Sequence, residues 1–112
     1  MKRSFSRSDR LSSEIKKIFN AHLRGTVQNP ILKESSITEV LVSKDLAILT
    51  VYFTLDRVTQ AIEAEKEFNR SKGYFKELIA KNLRMRRIPD IKFLYDKQRE
   101  QADRITDLLN NL

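Results

Sequence analysis

Arg10, Lys17 and Arg24 recur every seven residues, and at ~100° per residue that spacing draws a nearly axial line of cations along one side of a helix. Guanidinium and ammonium groups set in line suit a phosphate backbone, which they hold by charge and hydrogen bonding without breaking a bond. A second set stands at Lys72, Lys76, Lys81, Arg84, Arg86 and Arg87. On one continuous helix, Lys76, Ala80, Arg84 and Arg87 are four, four and three residues apart, on the side away from Phe75 and Ile79. Ala80 is too small to obstruct a backbone lying across that face.

The 112 residues carry 22 Lys and Arg against 15 Asp and Glu, a formal net charge of +7. Residues 1–24 hold seven of the cations and two of the acids, and residues 73–89 hold five and one; the rest of the chain is slightly acidic. Positive charge concentrated in this way is a footprint for a polyanion. The competing reading is two solvated helix faces, and the existence of two separate concentrations weighs against it.

Other chemistries find few residues to work with. The chain has no Cys, which removes disulfides, thiolate-held zinc, iron–sulfur clusters and a thiol nucleophile. One His excludes any site that needs two imidazoles, and two glycines, Gly25 and Gly73, cannot write a P-loop or a dinucleotide fingerprint. His22 falls on the apolar stripe of its helix and reads as a neutral, partly buried ring. Pro89-Asp90-Ile91-Lys92 has the carboxylate and lysine of a metal-dependent nuclease, but that chemistry needs two separated acidic positions and Asp90 would have to serve as both. No cofactor, metal or small-molecule substrate is therefore expected. The apolar runs are only a few residues long, far short of the ~20 that cross a bilayer, and no apolar stretch follows the basic residues of the N-terminus. A soluble, cytoplasmic protein is expected. A basic amphipathic first helix could lie on a membrane surface, but its apolar stripe is needed for a core.

These groups must be positioned by elements that the hydrophobic pattern outlines. Leu11, Ile15, Ile18, Phe19, His22 and Leu23 make one stripe of a helix over 8–24, with Ser8 as its cap and Gly25 at its end. Pro30 biases Asn29 away from helix and marks a connection. Residues 36–42 and 46–53 are rich in β-branched and aromatic side chains and flank a short loop at Ser43-Lys44-Asp45, as a hairpin does. The second strand is apolar on both alternating sets, which predicts a central position, while the spacing around Glu39 predicts a wetter face or a bulge. Helical spacing returns over 59–86, with Ile62, Phe68, Phe75, Leu78, Ile79 and Leu83 as core positions and Gly73 marking a kink. Pro89 stops this segment, and residues 91–95 form a third strand. Asp96 caps a last helix whose Ala102, Ile105, Leu108 and Leu109 make a narrow stripe. The prediction is one α+β domain over 1–112, in the order α-β-β-α-kink-α-β-α, with a three-stranded sheet packed against helices. Residues 1–7 are expected to be flexible, and 97–112 to form a helix docked on the body.

That order, with its kink, looks like a type II KH domain, an RNA-binding fold. The run from Leu83 to Asp96, LRMRRIPDIKFLYD, resembles the LRLRRVPELxFxYD signature of the bacterial ribosome-binding factor A family. Val42-Ser43-Lys44-Asp45-Leu46-Ala47 with Val51-Tyr52 resembles that family's hairpin. Asn69-Arg70-Ser71-Lys72-Gly73-Tyr74 resembles its kink, and Arg7, Arg10, Glu14 and Ile15 fit its first helix. Two positions depart from the pattern: Ser71 replaces the kink alanine, and Asn29-Pro30-Ile31 stands where the family has Asp-Pro-Arg.

The resemblance implies a non-enzymatic assembly factor that binds the free small (30S) ribosomal subunit and assists late maturation and processing of its 16S rRNA. It implies RNA contacts from Arg3, Arg7, Arg10, Lys17 and Arg24, and from Ser71, Lys72, Gly73, Lys76, Lys81, Arg84, Arg86 and Arg87. The partner would be the small subunit and its rRNA, with no membrane, and the protein a monomer. The alternative is a general KH-type RNA binder without ribosome specificity. Tyr52, Tyr74 and Tyr95 are read as packed side chains rather than stacking platforms.

Overall fold

The computed structural model describes residues 7–112. Arg3 and the first six of the seven residues expected to be flexible lie outside the described residues; Arg7 is the first residue of a helix. In chain order the elements are α1 (Arg7–Gly25), α2 (Pro30–Lys33), β1 (Ser35–Val42), β2 (Ile48–Leu55), a 3-10 turn (Val58–Gln60), α3 (Ala61–Arg70), α4 (Lys72–Asn82), β3 (Asp90–Tyr95) and α5 (Lys97–Asn110). The strands lie in the order β1-β2-β3, with β1 antiparallel and β3 parallel to the middle strand.

Period-two alternation decides which face of the sheet is covered. Leu49, Val51, Phe53 and Leu55 of β2 are buried, as are Ile37 and Val40 of β1 and Ile91 and Phe93 of β3. They meet Ile15, Phe19 and Leu23 of α1, Ala64 and Phe68 of α3, and Phe75 and Ile79 of α4. Five fully buried phenylalanines form the centre: Phe68 and Phe93 stack with centroids 4.9 Å apart, and Phe19 meets Phe75 edge-on at 4.8 Å. β2 is central, as its composition predicts, yet its other face carries exposed Ile48 and half-exposed Thr50, Tyr52 and Thr54. The bulge is present too. The β1–β2 register shifts between Ile37 and Glu39, and the intervening Thr38 turns its hydroxyl to Asp96.

Several local expectations change. Ser8, expected to precede the helix as its cap, is itself helical, and its carbonyl accepts from Ser12 Oγ at 2.9 Å. The Pro30 connection contains the short helix α2, with Pro30 in its first turn and Asn29 Oδ1 accepting from the Ile31 N–H at 3.0 Å. The hairpin loop extends to Ala47 because Ser43 Oγ and Asp45 Oδ1 both accept from the Ala47 N–H and Leu46 takes a left-handed conformation (φ 60°). Ile62 is 76% exposed, since α3 turns Ala64 and Phe68 inward instead.

Two differences matter more. α4 stops at Asn82, and Leu83 is extended (φ −129°, ψ 144°). From there Leu83, Met85 and Ile88 lean on the core as an irregular segment, and Pro89 disfavours helix at Ile88. The last helix forms with Asp96 capping it through the Arg99 N–H at 2.9 Å, but its apolar stripe is not docked. Ala102 is exposed, as are Ile105, Leu108 and Leu109 at 59%, 69% and 63%. The reason is that the helix approaches the body by its polar side, at Glu100 beside Tyr95, and pairs its own charges.

Candidate nucleic-acid interface

α1 and α4 pack together: Phe19 meets Phe75, and one turn further along α1, His22 meets Tyr74 at 4.8 Å. With Ile15, Phe19 and Leu23 turned into the core, helical periodicity sends Arg10, Lys17 and Arg24 outward, and all three are exposed, as is Arg7. On α4 the same logic buries Phe75 and Ile79 and exposes Lys81. The other two lysines of that helix turn toward β3. Lys76 pairs with Asp90 at 3.1 Å, and Lys72 is half-exposed nearby. The Lys76 ammonium chiefly, with a weaker contribution from Lys72, holds the Asp90 carboxyl below its usual range.

Arg84 and Arg87 were expected on a helical face with Lys76, and Arg86 beside them on the same helix. They lie instead in the 83–89 segment, exposed, between the partly buried Leu83, Met85 and Ile88. Arg87 is near enough to the hairpin to help lower the Asp45 carboxyl, after the larger effects of the Ser43 hydroxyl and the Ala47 N–H. The Asp90 N–H donates to the Ala47 carbonyl at 2.9 Å, fixing the end of this segment at the hairpin. Asn20 bonds Ile37 near the start of β1. The last turn of α1, which carries Arg24, faces the kink residues Ser71 and Gly73 across a shared groove.

Pairing distinguishes these cations from the arginines elsewhere, although Lys16, Lys33, Lys44, Lys66, Lys92 and Lys97 are likewise in no ion pair among the described residues. Among the described residues Arg7, Arg10, Lys17, Arg24, Lys81, Arg84, Arg86 and Arg87 form no ion pair, whereas Arg57 pairs with Glu34, Arg70 with Glu67, Arg99 with Asp103 and Arg104 with Glu100. An unneutralised cation on the surface is available to a phosphate; a paired one must first give up its carboxylate. Among the described residues no three His, Asp or Glu side chains are grouped as metal ligands. No helix among them is long and apolar enough to cross a membrane.

At the kink, the Ser71 N–H donates to the carbonyls of Glu67 and Phe68 and ends α3. α4 begins with neither a side-chain cap nor an acidic residue in its first turn, which leaves the positive end of its dipole uncompensated. Gly73 does not serve the kink by conformation: its φ is not positive, and a Cβ there would meet nothing within 4 Å. Tyr74 is 47% exposed with its ring against His22, and was not recognised as a surface aromatic from the sequence. Burial lowers the His22 pKa from its ordinary 6.5, so the neutral ring expected there is favoured. The bonding of Asn20 to β1 and of Asn69 to β3 was not read from the sequence, although Asn69 belongs to the kink motif.

Compared with known families, residues 7–109 match ribosome-binding factor A. The chain belongs to the ribosome-binding factor A family. It is 41% identical over 91 residues to ribosome-binding factor A of Francisella philomiragia, a match covering 81% of this chain and 64% of that longer protein. A solution structure from Thermotoga maritima, described as a ribosome-binding factor A, superposes with a TM-score of 0.73 at 30% identity, over 87% of this chain and 93% of that one. A homology model of Thermus thermophilus ribosome-binding factor A, as fitted into the cryo-electron microscopy map of a complex with 30S, superposes with a TM-score of 0.66 at 25% identity, over 79% and 93% of the two chains. The ribosome-binding factor A fold therefore extends over most of this chain.

Proposed function

We propose that this protein binds the free small ribosomal subunit through its rRNA and assists late maturation of that RNA without catalysing a reaction. The observation that carries the reading is the set of exposed, unpaired cations on α1, at Lys81 and along the 84–87 segment in a member of this family; Arg99 and Arg104 of α5, by contrast, neutralise acids on their own helix. Assistance then needs only binding. A protein that prefers one conformation of the RNA shifts its population by the difference in affinity, and no bond changes. Asp90, the one carboxylate a nuclease reading could use, is held in an ion pair with Lys76. The protein works in the cytoplasm, as a monomer, without a cofactor.

The test is sedimentation with separated ribosomal subunits at increasing salt. The expected outcome is binding to the free small subunit alone, with log K falling linearly against log salt because phosphate contacts release counterions. Equal binding to both subunits would leave only a general RNA binder, and binding indifferent to salt would remove the cationic layer from the mechanism. Incubation with labelled small-subunit precursor RNA and Mg²⁺ should give no cleavage.

A further inference from the structure

A groove of about 470 Å³ opens between the last turn of α1, the loop that follows it, and the α3–α4 kink. Its floor is aromatic. The Tyr74 ring is 47% exposed and lies 4.8 Å from the His22 ring at 35°, and His22 stands edge-on to buried Phe75 at 5.9 Å. The backing rings fix the position of Tyr74, so its exposed face is a firm platform and not a loose surface side chain. The rim is polar. Thr26, Gln28 and Ser71 line it, and their side chains make no hydrogen bond among the described residues. Asn29 is committed elsewhere, accepting from the Ile31 N–H and donating to Glu67 Oε2. Arg70 is the one charged residue of the lining and is paired with Glu67 at 3.0 Å, and Arg24 stands exposed and unpaired on the flanking turn of α1.

We infer that this groove receives a single unpaired nucleotide of an RNA strand, its base stacked on Tyr74 and its edge met by Thr26, Gln28 or Ser71. Charge complementarity selects this occupant. A flat apolar platform would accept many planar groups, but a lining that offers no unpaired carboxylate, with the unpaired Arg24 exposed at its edge, favours one that arrives tethered to phosphates. The missing side chain of Gly73, which also lines the groove and has empty space where its Cβ would be, keeps the mouth open beside the platform. The assignment rests on the RNA-binding reading above and adds to it a discrete site, on the α1 side of the kink, that reads single-stranded and not duplex RNA.

The test compares Tyr74→Leu, which keeps bulk but not the π-face, with Tyr74→Phe and with Arg10→Gln/Lys17→Gln. Binding is measured to a ten-nucleotide single-stranded oligoribonucleotide and to an RNA duplex of the same length. Tyr74→Leu should lose roughly tenfold affinity for the single strand, a typical loss for one base–aromatic stack. It should leave duplex binding and the salt slope unchanged, and Tyr74→Phe should match the wild type. Wild-type affinity in Tyr74→Leu, with binding still weakened in Arg10→Gln/Lys17→Gln, would overturn the groove and leave the cationic layer standing. No binding of either RNA by the unmodified protein would overturn both. Nuclear magnetic resonance of the unmodified protein supplies an independent readout should Tyr74→Leu fail to fold. The Tyr74 and His22 ring signals should shift on adding the single strand, and rings that stay still while other signals move would also overturn the groove.

Discussion

The side-chain amide of Asn69 bonds both main-chain groups of Phe93: its Oδ1 accepts from the Phe93 N–H and its Nδ2 donates to the Phe93 carbonyl, each at 3.1 Å. An asparagine from α3 thus takes the place of a missing fourth strand along the free edge of β3, and Glu65 extends it by accepting from the Tyr95 N–H at 3.0 Å. The opposite edge is closed in the same way, with Asn20 of α1 accepting from the Ile37 N–H at 2.8 Å and donating to its carbonyl at 3.1 Å. Sheet edges left open invite pairing with other chains. Asn69→Leu should therefore cost about 1–3 kcal/mol, the penalty for leaving part-buried polar groups without partners, and should promote aggregation on heating. Denaturant unfolding reads the first and light scattering the second; an unchanged midpoint would mean that water replaces the amide at no loss.

The contrast between Asn69 and Phe93 shows what the sequence could reveal. Phe93 was legible because alternation with Ile91 places it on the covered face of a strand, and most of the core followed from the same periodicity. The role of Asn69 was not, since nothing local distinguishes an asparagine that caps a distant strand from one that faces water; its partner is 24 residues away. The cations of α1 were placed correctly because a helix fixes direction once its buried stripe is known. Those at 84–87 were misplaced because a run of good helix formers carries helical spacing past the point where tertiary packing of Leu83, Met85 and Ile88 draws the chain out of the helix. Their exposure survived the error; their common face with Lys76 did not. The stripe on α5 was real as a pattern, but a pattern does not say whether a surface exists to receive it.

Gly73 offers a test of the kink. A glycine demanded by backbone conformation or by close approach would not tolerate a side chain, yet here φ is not positive and the space beyond Cα is empty. Gly73→Ala should raise stability by roughly 0.5–1 kcal/mol, the ordinary gain from replacing glycine within a helix. A lowered melting temperature would show that the kink needs glycine after all. Gly73→Val should melt close to the wild type and instead weaken binding of single-stranded RNA, because its bulk fills the mouth of the groove and not a gap in the core.

The single histidine gives the protein a definable response to acid. Burial lowers the His22 pKa in the folded state, so between that value and the ordinary 6.5 the unfolded chain binds a proton that the folded one does not. Stability then rises with pH across this window. The contribution is fully present above about pH 6.5, is lost as pH falls toward the folded value, and levels off below it. Glu34, Asp45 and Asp90, whose pKa values are also lowered, act only in more acid solution, below their ordinary 4.5, 3.8 and 3.8. Denaturant midpoints measured between pH 5 and pH 7.5 should therefore slope upward in the wild type and be flatter in His22→Phe. Identical slopes in the two proteins would place the proton elsewhere.

Charge position, as opposed to charge quantity, is separable by a matched pair of variants. Arg84→Gln/Arg87→Gln and Arg99→Gln/Arg104→Gln lower the net charge equally, but the first pair is unneutralised beside the hairpin and the second is held by Asp103 and Glu100 on α5. If phosphates are met by the α1–α4 layer, the first variant should bind the small subunit more weakly and reduce the slope of log K against log salt by about 2, near 0.9 per lost contact. The second should keep the wild-type slope. All four side chains are exposed, so both variants should melt within about 0.5 kcal/mol of the parent. Equal losses from the two pairs would mean that the RNA senses only total charge, and the unpaired state of Arg84 and Arg87 would then have no bearing on where it binds.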